Sequence, residues 1–286
     1  MVTNVEEGIM AYKTIAAWID PQRSAPVDAA IKLALAFGAH LTGLNHVDVI
    51  RLPPYIRAHL GEELARQQVQ RAESDAAAAG AGFETLARRA GLTSVEVRRL
   101  VGDPVQGLAT SARYADLIVM GQVDMETADG SEKRDFPDHA ILGCGRPTLM
   151  IPYAGSFDAF GAHAVVAWSA TRESTRAVTD ALPLLQRAKK VTIIVGDAKP
   201  GSGGHGAMPG ADIAVYLARH GVKVEVSQER TAGIDIGSLL LSRIADLGAD
   251  LLVMGGYGHS RMRELVLGGV TRTILREMTV PVLMSH

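Results

Sequence analysis

The chain has 286 residues, about twice a typical domain length, so two domains are the first expectation. Nonpolar residues make up 47% of it, enough to fill hydrophobic cores, which excludes intrinsic disorder. The 29 basic and 31 acidic residues give a net charge of −2, which argues against a polybasic surface for nucleic acid or membrane. Because Cys144 is the only cysteine, an intramolecular disulfide and a cysteine-based zinc site are excluded.

The first 13 residues, MVTNVEEGIMAYK, lack the basic and then nonpolar regions of a secretory signal peptide. No nonpolar run approaches the roughly 18 residues that suggest a membrane span. The sequence therefore predicts a cytoplasmic protein with no membrane partner.

The chain repeats itself along its length. Ile-Ala-Ala-Trp at 15–18 recurs as Val-Val-Ala-Trp at 165–168, an offset of 150 residues. The segments 115–121 and 147–150 recur at 249–255 and 281–284, both at an offset of 134. Three matches in the same order predict a tandem duplication. The offsets differ by 16, so we expect about that many extra residues in the first half, in a helical stretch around 57–79.

Each half alternates short nonpolar runs, typical of buried strands, with helical patterns such as 236–247. This alternation predicts an α/β fold with parallel strands and helices on both faces. Breaker residues at 152–156 predict a boundary between domains 1–154 and 155–286. In the second half, strands are predicted near 163–168, 190–196, 222–227, 250–255 and 281–285.

A glycine-rich loop follows the fourth strand of the second half. Glycines at 255, 256 and 258 open this loop, and Gly268 and Gly269 close it before a helical run. Backbone amides that no Cβ shields, next to a helix start, suit a phosphate group. Ser260, Thr271 and Thr273 add hydroxyls, and three arginines (261, 263 and 272) add charge of undetermined direction. The alternative is that these glycines only form two tight turns.

The pattern Gly255-x2-Gly258-x9-Gly268, followed by Val270 and Thr271, resembles the nucleotide-binding signature of the universal stress proteins. The resemblance implies two doubly wound domains, each a five-stranded parallel sheet of order 3-2-1-4-5, related by a pseudo-twofold axis. It also implies that the fifth strands, near 148–151 and 282–285, meet in an intramolecular pseudo-dimer. A further homodimer stays open.

By the same resemblance, the second half binds ATP, with or without Mg, and the protein acts as a sensor or regulator in a stress response. No catalytic residue or metal ligand is predicted, and the most activity that we expect is slow ATP hydrolysis. The alternative is a scaffold or chaperone-like protein that binds no nucleotide. The implied nucleotide-binding residues are Ala167, Trp168, Ser169, Val195, Met254, Gly255, Gly258, His259, Ser260, Gly268, Gly269, Val270 and Thr271.

Two residues depart from the family pattern. Ser169 stands where ATP-binding members have an aspartate, and its hydroxyl is a weaker partner than a carboxylate. Gly269 stands where a serine or threonine is common, so a hydroxyl donor is lost. Both departures favour weaker binding or a different ligand.

The first half acts as an internal control for this loop. The positions of Gly258, Gly268 and Gly269 correspond to Asp124, Arg134 and Asp135. The loop 122–129 carries three carboxylates, which would repel a triphosphate, so we predict that only the second half binds nucleotide. These carboxylates (Asp124, Glu126 and Asp129) form either a solvated acidic loop or, as the alternative, a divalent metal site.

Other residues have ordinary explanations. The segment 201–206, with His205, lacks the lysine of a phosphate-binding P-loop and is predicted to be a flexible connector or a lid. Cys144 is expected to be a small buried group, and Trp18 and Trp168 to pack against neighbouring elements. Tyr257 either covers the ligand or lies exposed.

Overall fold

The computed structural model describes residues 11–47, 54–124, 131–157, 159–198, 201, 203, 206–258 and 269–286. Within them, no helix combines the length and nonpolar content needed to cross a bilayer. The first half contains β1 (Thr14–Trp18), α1 (Ala25–Phe37), β2 (His40–His46), α2 (Pro54–Arg89), β3 (Val95–Leu100), α3 (Pro104–Ala112), β4 (Leu117–Gly121), α4 (Ser131–Gly143) and β5 (Thr148–Ile151). The second half contains β6 (His163–Ala167), α5 (Arg172–Leu185), β7 (Lys190–Gly196), α6 (Ala211–Arg219), β8 (Val224–Glu229), α7 (Ile236–Leu247), β9 (Leu251–Gly255), α8 (Gly269–Glu277) and β10 (Val282–Ser285).

The strands form one ten-stranded sheet of order β3-β2-β1-β4-β5-β10-β9-β6-β7-β8. Each half has the predicted order 3-2-1-4-5 with parallel neighbours, so the predicted fold class is confirmed. The fifth strands meet as predicted, since β5 and β10 pair antiparallel with Leu149 opposite Leu283. Leu149 and Leu283 occupy equivalent positions in the repeat, so the antiparallel pairing of the two strands is symmetric about this pair.

The helices cover the sheet in two layers that follow the repeat. One core lies under α1, α2, α5 and α6, and the other lies under α3, α4, α7 and α8. Local sequence fixes several helix starts: the side chains of Asp103, Thr171 and Asp235 accept hydrogen bonds from free amides at the first turns of α3, α5 and α7. The nonpolar strands are therefore buried on both faces, as the uninterrupted runs predicted.

A repeated aspartate ties the first strand of each half to the fourth. The Asp116 carboxylate, just before β4, accepts hydrogen bonds from the amides of Lys13 and Thr14. In the second half, the Asp250 carboxylate accepts from the three amides of 161–163. This shared contact gives the repeated Ala-Asp-Leu pattern a structural role.

The extra residues of the first half lie where they were predicted. Helix α2 has 36 residues, whereas its counterpart α6 has 9. The third strand of the second half was placed too early, because β8 begins at Val224 rather than at 222. The backbone of Val222 instead closes a turn after α6, with its amide bonded to the carbonyl of Leu217. The boundary between 154 and 155 stays a prediction.

Helix α5 and the residues just after it carry contacts between the two halves. The Tyr12 hydroxyl donates to the backbone carbonyl of Asp180 at 2.8 Å. Within the second half, the Asp180 carboxylate accepts a hydrogen bond from the Ser285 hydroxyl at 2.8 Å. The Arg187 guanidinium donates to the carbonyl of Ala36 at 2.7 Å and lies 4.6 Å from the centre of the Phe37 ring. The joint therefore includes polar contacts beside the paired strands.

Replacing Asp180 by asparagine is expected to stabilise the protein at neutral pH. Burial raises the pKa of this carboxyl, so its ionised form costs folding free energy that is recovered when the group is protonated. Asp180→Asn keeps an acceptor for Ser285 and should raise Tm at pH 7 by about 2–4 °C, the effect of about 1 kcal/mol. The difference from wild type should shrink as the pH falls through the raised pKa of Asp180 and be small below about pH 4, the usual pKa of an aspartate in an unfolded chain. Thermal unfolding at both pH values checks this, and equal destabilisation at both would contradict it.

Candidate nucleotide site

The predicted nucleotide-binding residues that the structure describes lie at or near the carboxyl edge of the second half. Strands β6 and β9 end there, and helices α5 and α8 begin there. Ala167 ends β6, Trp168 and Ser169 follow it, and Val195 lies near the end of β7. Met254 and Gly255 end β9, Gly258 follows three residues later, and Gly269, Val270 and Thr271 begin α8. His259, Ser260 and Gly268 lie outside the described residues.

Not all of these side chains face the edge. Val195 and Met254 are buried in the two cores, 1% and 4% exposed, so only their backbone groups are available there. Trp168 packs against the core that lies under α1, α2, α5 and α6, as predicted for a packing residue. Ser169 is exposed, and its hydroxyl lies 3.2 Å from that of Thr171.

Residues 255–258, called the glycine turn here, lie directly against the start of α5. A Cβ atom on Gly255 would lie 2.6 Å from the backbone nitrogen of Ser174 and 2.7 Å from the carbonyl carbon of Glu173. A Cβ on Gly258 would lie 3.2 Å from a Glu173 carboxylate oxygen and 3.4 Å from the Thr171 hydroxyl. Glycine at 255 is therefore required for the strand end to approach the positive end of the helix.

Tyr257 is buried against the first half, so the alternative that it lies exposed is wrong. Its backbone adopts a left-handed conformation (φ 56°), and the residue is 8% exposed. Its amide donates to the Thr271 hydroxyl at 3.2 Å, which joins the glycine turn to α8. Its own hydroxyl donates to the carboxylate of Asp138 on α4, whose pKa is raised by burial. The glycine turn is thus anchored to both halves.

Glu173 is a site residue that the sequence reasoning missed. It lies in the first turn of α5, is 6% exposed, and pairs with the Arg172 guanidinium at 2.9 Å. Burial acts to raise its pKa, but its own backbone amide and hydrogen bonds from Arg172 and Thr171 bring the pKa below the usual value. A charged carboxylate therefore faces Gly258, where it can accept hydrogen bonds and would repel a phosphate group. The only signal in the sequence was an acidic residue in the first turn of a helix, and that signal did not indicate that the side chain points toward Gly258.

The first-half counterpart is partly described. Asp124 and Asp135 are half-buried and Arg134 is exposed, whereas Glu126 and Asp129 lie outside the described residues. Among the residues that the structure covers, no group of three or more histidines, cysteines or acids is arranged to hold a metal ion. Ser24 and Thr171 are the N-cap residues of α1 and α5. Two positions after the cap, α1 has Pro26 where α5 has Glu173, so the first half has no carboxylate at this position.

Two of the remaining candidates lie in packed surroundings. Cys144 is buried as expected, and burial raises the pKa of its thiol to about 12. Trp18 stacks on His46 and packs against Phe136, which confirms its packing role. His205 lies outside the described residues.

If the predicted nucleotide site binds ATP, replacing Glu173 by glutamine is expected to strengthen that binding about three- to tenfold, because it removes a negative charge beside the predicted phosphate position and keeps the shape of the side chain. Adenosine, which has no phosphate, should gain no affinity. Titration calorimetry with both ligands checks this. If Glu173→Gln instead weakens ATP binding, the carboxylate is itself a ligand-binding group.

Taken together, these elements define a tandem, doubly wound α/β protein with a glycine turn between two helix starts at the carboxyl edge of its second half. The profile of the universal stress protein family matches residues 11–143 and 162–286, so this chain belongs to the universal stress protein family.

Several known proteins are similar to all or part of this chain. A universal stress protein from Archaeoglobus fulgidus has the same fold, with a TM-score of 0.68 at 16% identity over 94% of this chain and 95% of that one. A universal stress protein solved in complex with cAMP matches 51% of this chain and all of its own, at 24% identity and a TM-score of 0.36. Universal stress protein Slr1230 of Synechocystis is 53% identical over 38 residues, so the match spans only 13% of that relative and 13% of this chain.

Proposed function

We propose that this protein binds ATP at the carboxyl edge of its second half and acts as a cytoplasmic sensor or regulator in a stress response. The observation that carries this proposal is the contact between Gly255 and the start of α5, where a Cβ would lie 2.6 Å from the Ser174 nitrogen. This closeness brings the glycine turn to one helix start, and Thr271 joins it to a second. Two helix starts at one glycine turn suit a phosphate chain.

The proposed placement follows the elements. The adenine lies beside Ala167, Trp168, Ser169 and the backbone of Val195. The phosphates lie over the amides of the glycine turn and the start of α8 (Gly269, Val270 and Thr271), with His259, Ser260 and Gly268 as further proposed contacts. A bound Mg ion would be held by the phosphates.

Antiparallel pairing of β5 with β10 supports the further proposal that the halves form an intramolecular pseudo-dimer. In this arrangement, the second half carries the ligand and the first half contributes the surface on which the glycine turn is anchored.

Replacing Gly258 by aspartate tests the site. The new carboxylate would face both Glu173 and the phosphates, so ATP affinity should fall at least about tenfold. Gly82→Asp is the matched control, because Gly82 is exposed on α2 and a Cβ there meets nothing within 4 Å. Calorimetric titration of both variants and wild type should show loss in Gly258→Asp alone. Equal binding by the two variants would refute the site.

A scaffold or chaperone-like function without nucleotide is the second candidate. The buried Glu173 carboxylate favours it, because a negative charge beside the glycine turn disfavours a triphosphate. This function predicts that ATP leaves the Tm of the wild-type protein unchanged, whereas a ligand of the folded state raises it.

A further inference from the structure

A second cleft, of about 260 Å³, lies between the two halves on the α4 and α8 side of the sheet. None of the residues that line it belongs to the proposed nucleotide site. Its nonpolar lining comes from Val123, Pro137, Met150 and Leu275. The cleft therefore offers a small nonpolar surface to which both halves contribute.

Charged groups surround this nonpolar surface. Arg272 and Arg276 lie one turn apart on α8, and Arg134 faces them from α4. Among the described residues, neither Arg272 nor Arg276 has a carboxylate within ion-pair distance. Two carboxylates also line the cleft, Asp135 and Asp138, and the Tyr257 hydroxyl occupies the second of them. Arg272 and Arg276 are therefore the guanidinium groups that no described carboxylate pairs at close range, although the charge of Arg272 also acts on Asp138 and lowers its pKa.

One buried side chain fixes the α8 wall of the cleft. The Gln122 amide nitrogen donates to the carbonyls of Leu275 at 3.0 Å and Arg276 at 2.9 Å. The Gln122 amide oxygen accepts from the Tyr153 amide at 3.0 Å, and the residue is 2% exposed. These bonds hold α8 on the first half and satisfy carbonyls at its negative end, which would otherwise repel an anion.

We propose that this cleft binds a small organic anion, with a phosphate or carboxylate group on Arg272 and Arg276 and a compact nonpolar body against Met150 and Leu275. Guanidinium groups bind both anions through paired hydrogen bonds. The volume lies below the roughly 300–1,000 Å³ of pockets for drug-sized ligands, so the cleft selects a molecule smaller than a nucleoside triphosphate.

The test uses the full chain and three probes: phenyl phosphate, benzoate and inorganic phosphate. Calorimetry should show binding of phenyl phosphate or benzoate at one site per chain, and the tighter of the two identifies the anionic group. Inorganic phosphate should bind at least about fivefold more weakly than the better organic probe, because it leaves the nonpolar surface uncovered. Equally tight binding of inorganic phosphate would overturn the organic part of the proposal.

Arg276→Gln should weaken the organic probe about tenfold, because it removes a charged hydrogen-bonding group. Arg219→Gln, an exposed arginine on α6, is the matched control and should bind as wild type does. ATP titration of Arg276→Gln should be unchanged, so failure here and failure of the nucleotide site are distinguishable. Absence of binding by every probe, or equal binding by Arg276→Gln and wild type, would overturn the proposal.

Discussion

Leu283→Ala is expected to lower the free energy of unfolding by about 3 kcal/mol, because it removes a fully buried side chain from the joint between the halves. Leu283 is 0% exposed and pairs across the joint with Leu149, which is also 0% exposed. Both leucines belong to the core that α1 and α5 share. A cavity at this point would loosen both halves, so we expect a single unfolding transition at lower denaturant.

Chemical denaturation of wild type, Leu283→Ala and Leu35→Ala measures this effect. Leu35 is 44% exposed on α1, so its truncation should cost far less. Two separated transitions in Leu283→Ala, with only the second half destabilised, would contradict a joint that both halves depend on.

Gly255→Ala is expected to damage both the fold and the nucleotide site. The added methyl group would lie 2.6 Å from one backbone atom of α5 and 2.7 Å from another, and neither can rotate away. Relief requires that the end of β9 and the start of α5 separate, at a cost of about 1–3 kcal/mol. Separation also displaces the amides that we assign to phosphate, so ATP affinity should fall at least about tenfold.

Gly82→Ala provides the control for this substitution. Gly82 lies in α2 with open space around its Cβ position, so alanine there should raise stability by about 0.5–1 kcal/mol. Thermal unfolding and ATP titration of both variants separate the two effects. Wild-type affinity and stability in Gly255→Ala would show that the approach of β9 to α5 is not required.

Much of the fold could be predicted from the repeat. The segments that recur at one offset are β4 and β5 in the first half and their counterparts β9 and β10 in the second. Their uninterrupted nonpolar residues reflect burial on both faces of the sheet. The start of β8 could not be placed from pattern alone, because Val222 is nonpolar and buried but belongs to a turn. Burial in a turn and burial in a strand give the same sequence signal there.

The candidate site was less predictable, because its decisive contacts join residues far apart in the chain. The bond between Tyr257 and Asp138 spans 119 positions, and in the second cleft the bond between Gln122 and Arg276 spans 154. Local spacing carries no information about such pairs. The direction of the Glu173 side chain likewise depends on how closely β9 approaches α5. Aligning the sequences of the two halves identified the glycines of the loop, but it did not identify Glu173 as their neighbour.

The position of bound ATP is the most direct test of the account. In a crystal structure of the full chain with ATP, we predict triphosphate density over the glycine turn and the start of α8, and none beside Asp124 and Asp135. Triphosphate density in the first half, or a glycine turn closed by the protein's own side chains in the presence of saturating ATP, would contradict it.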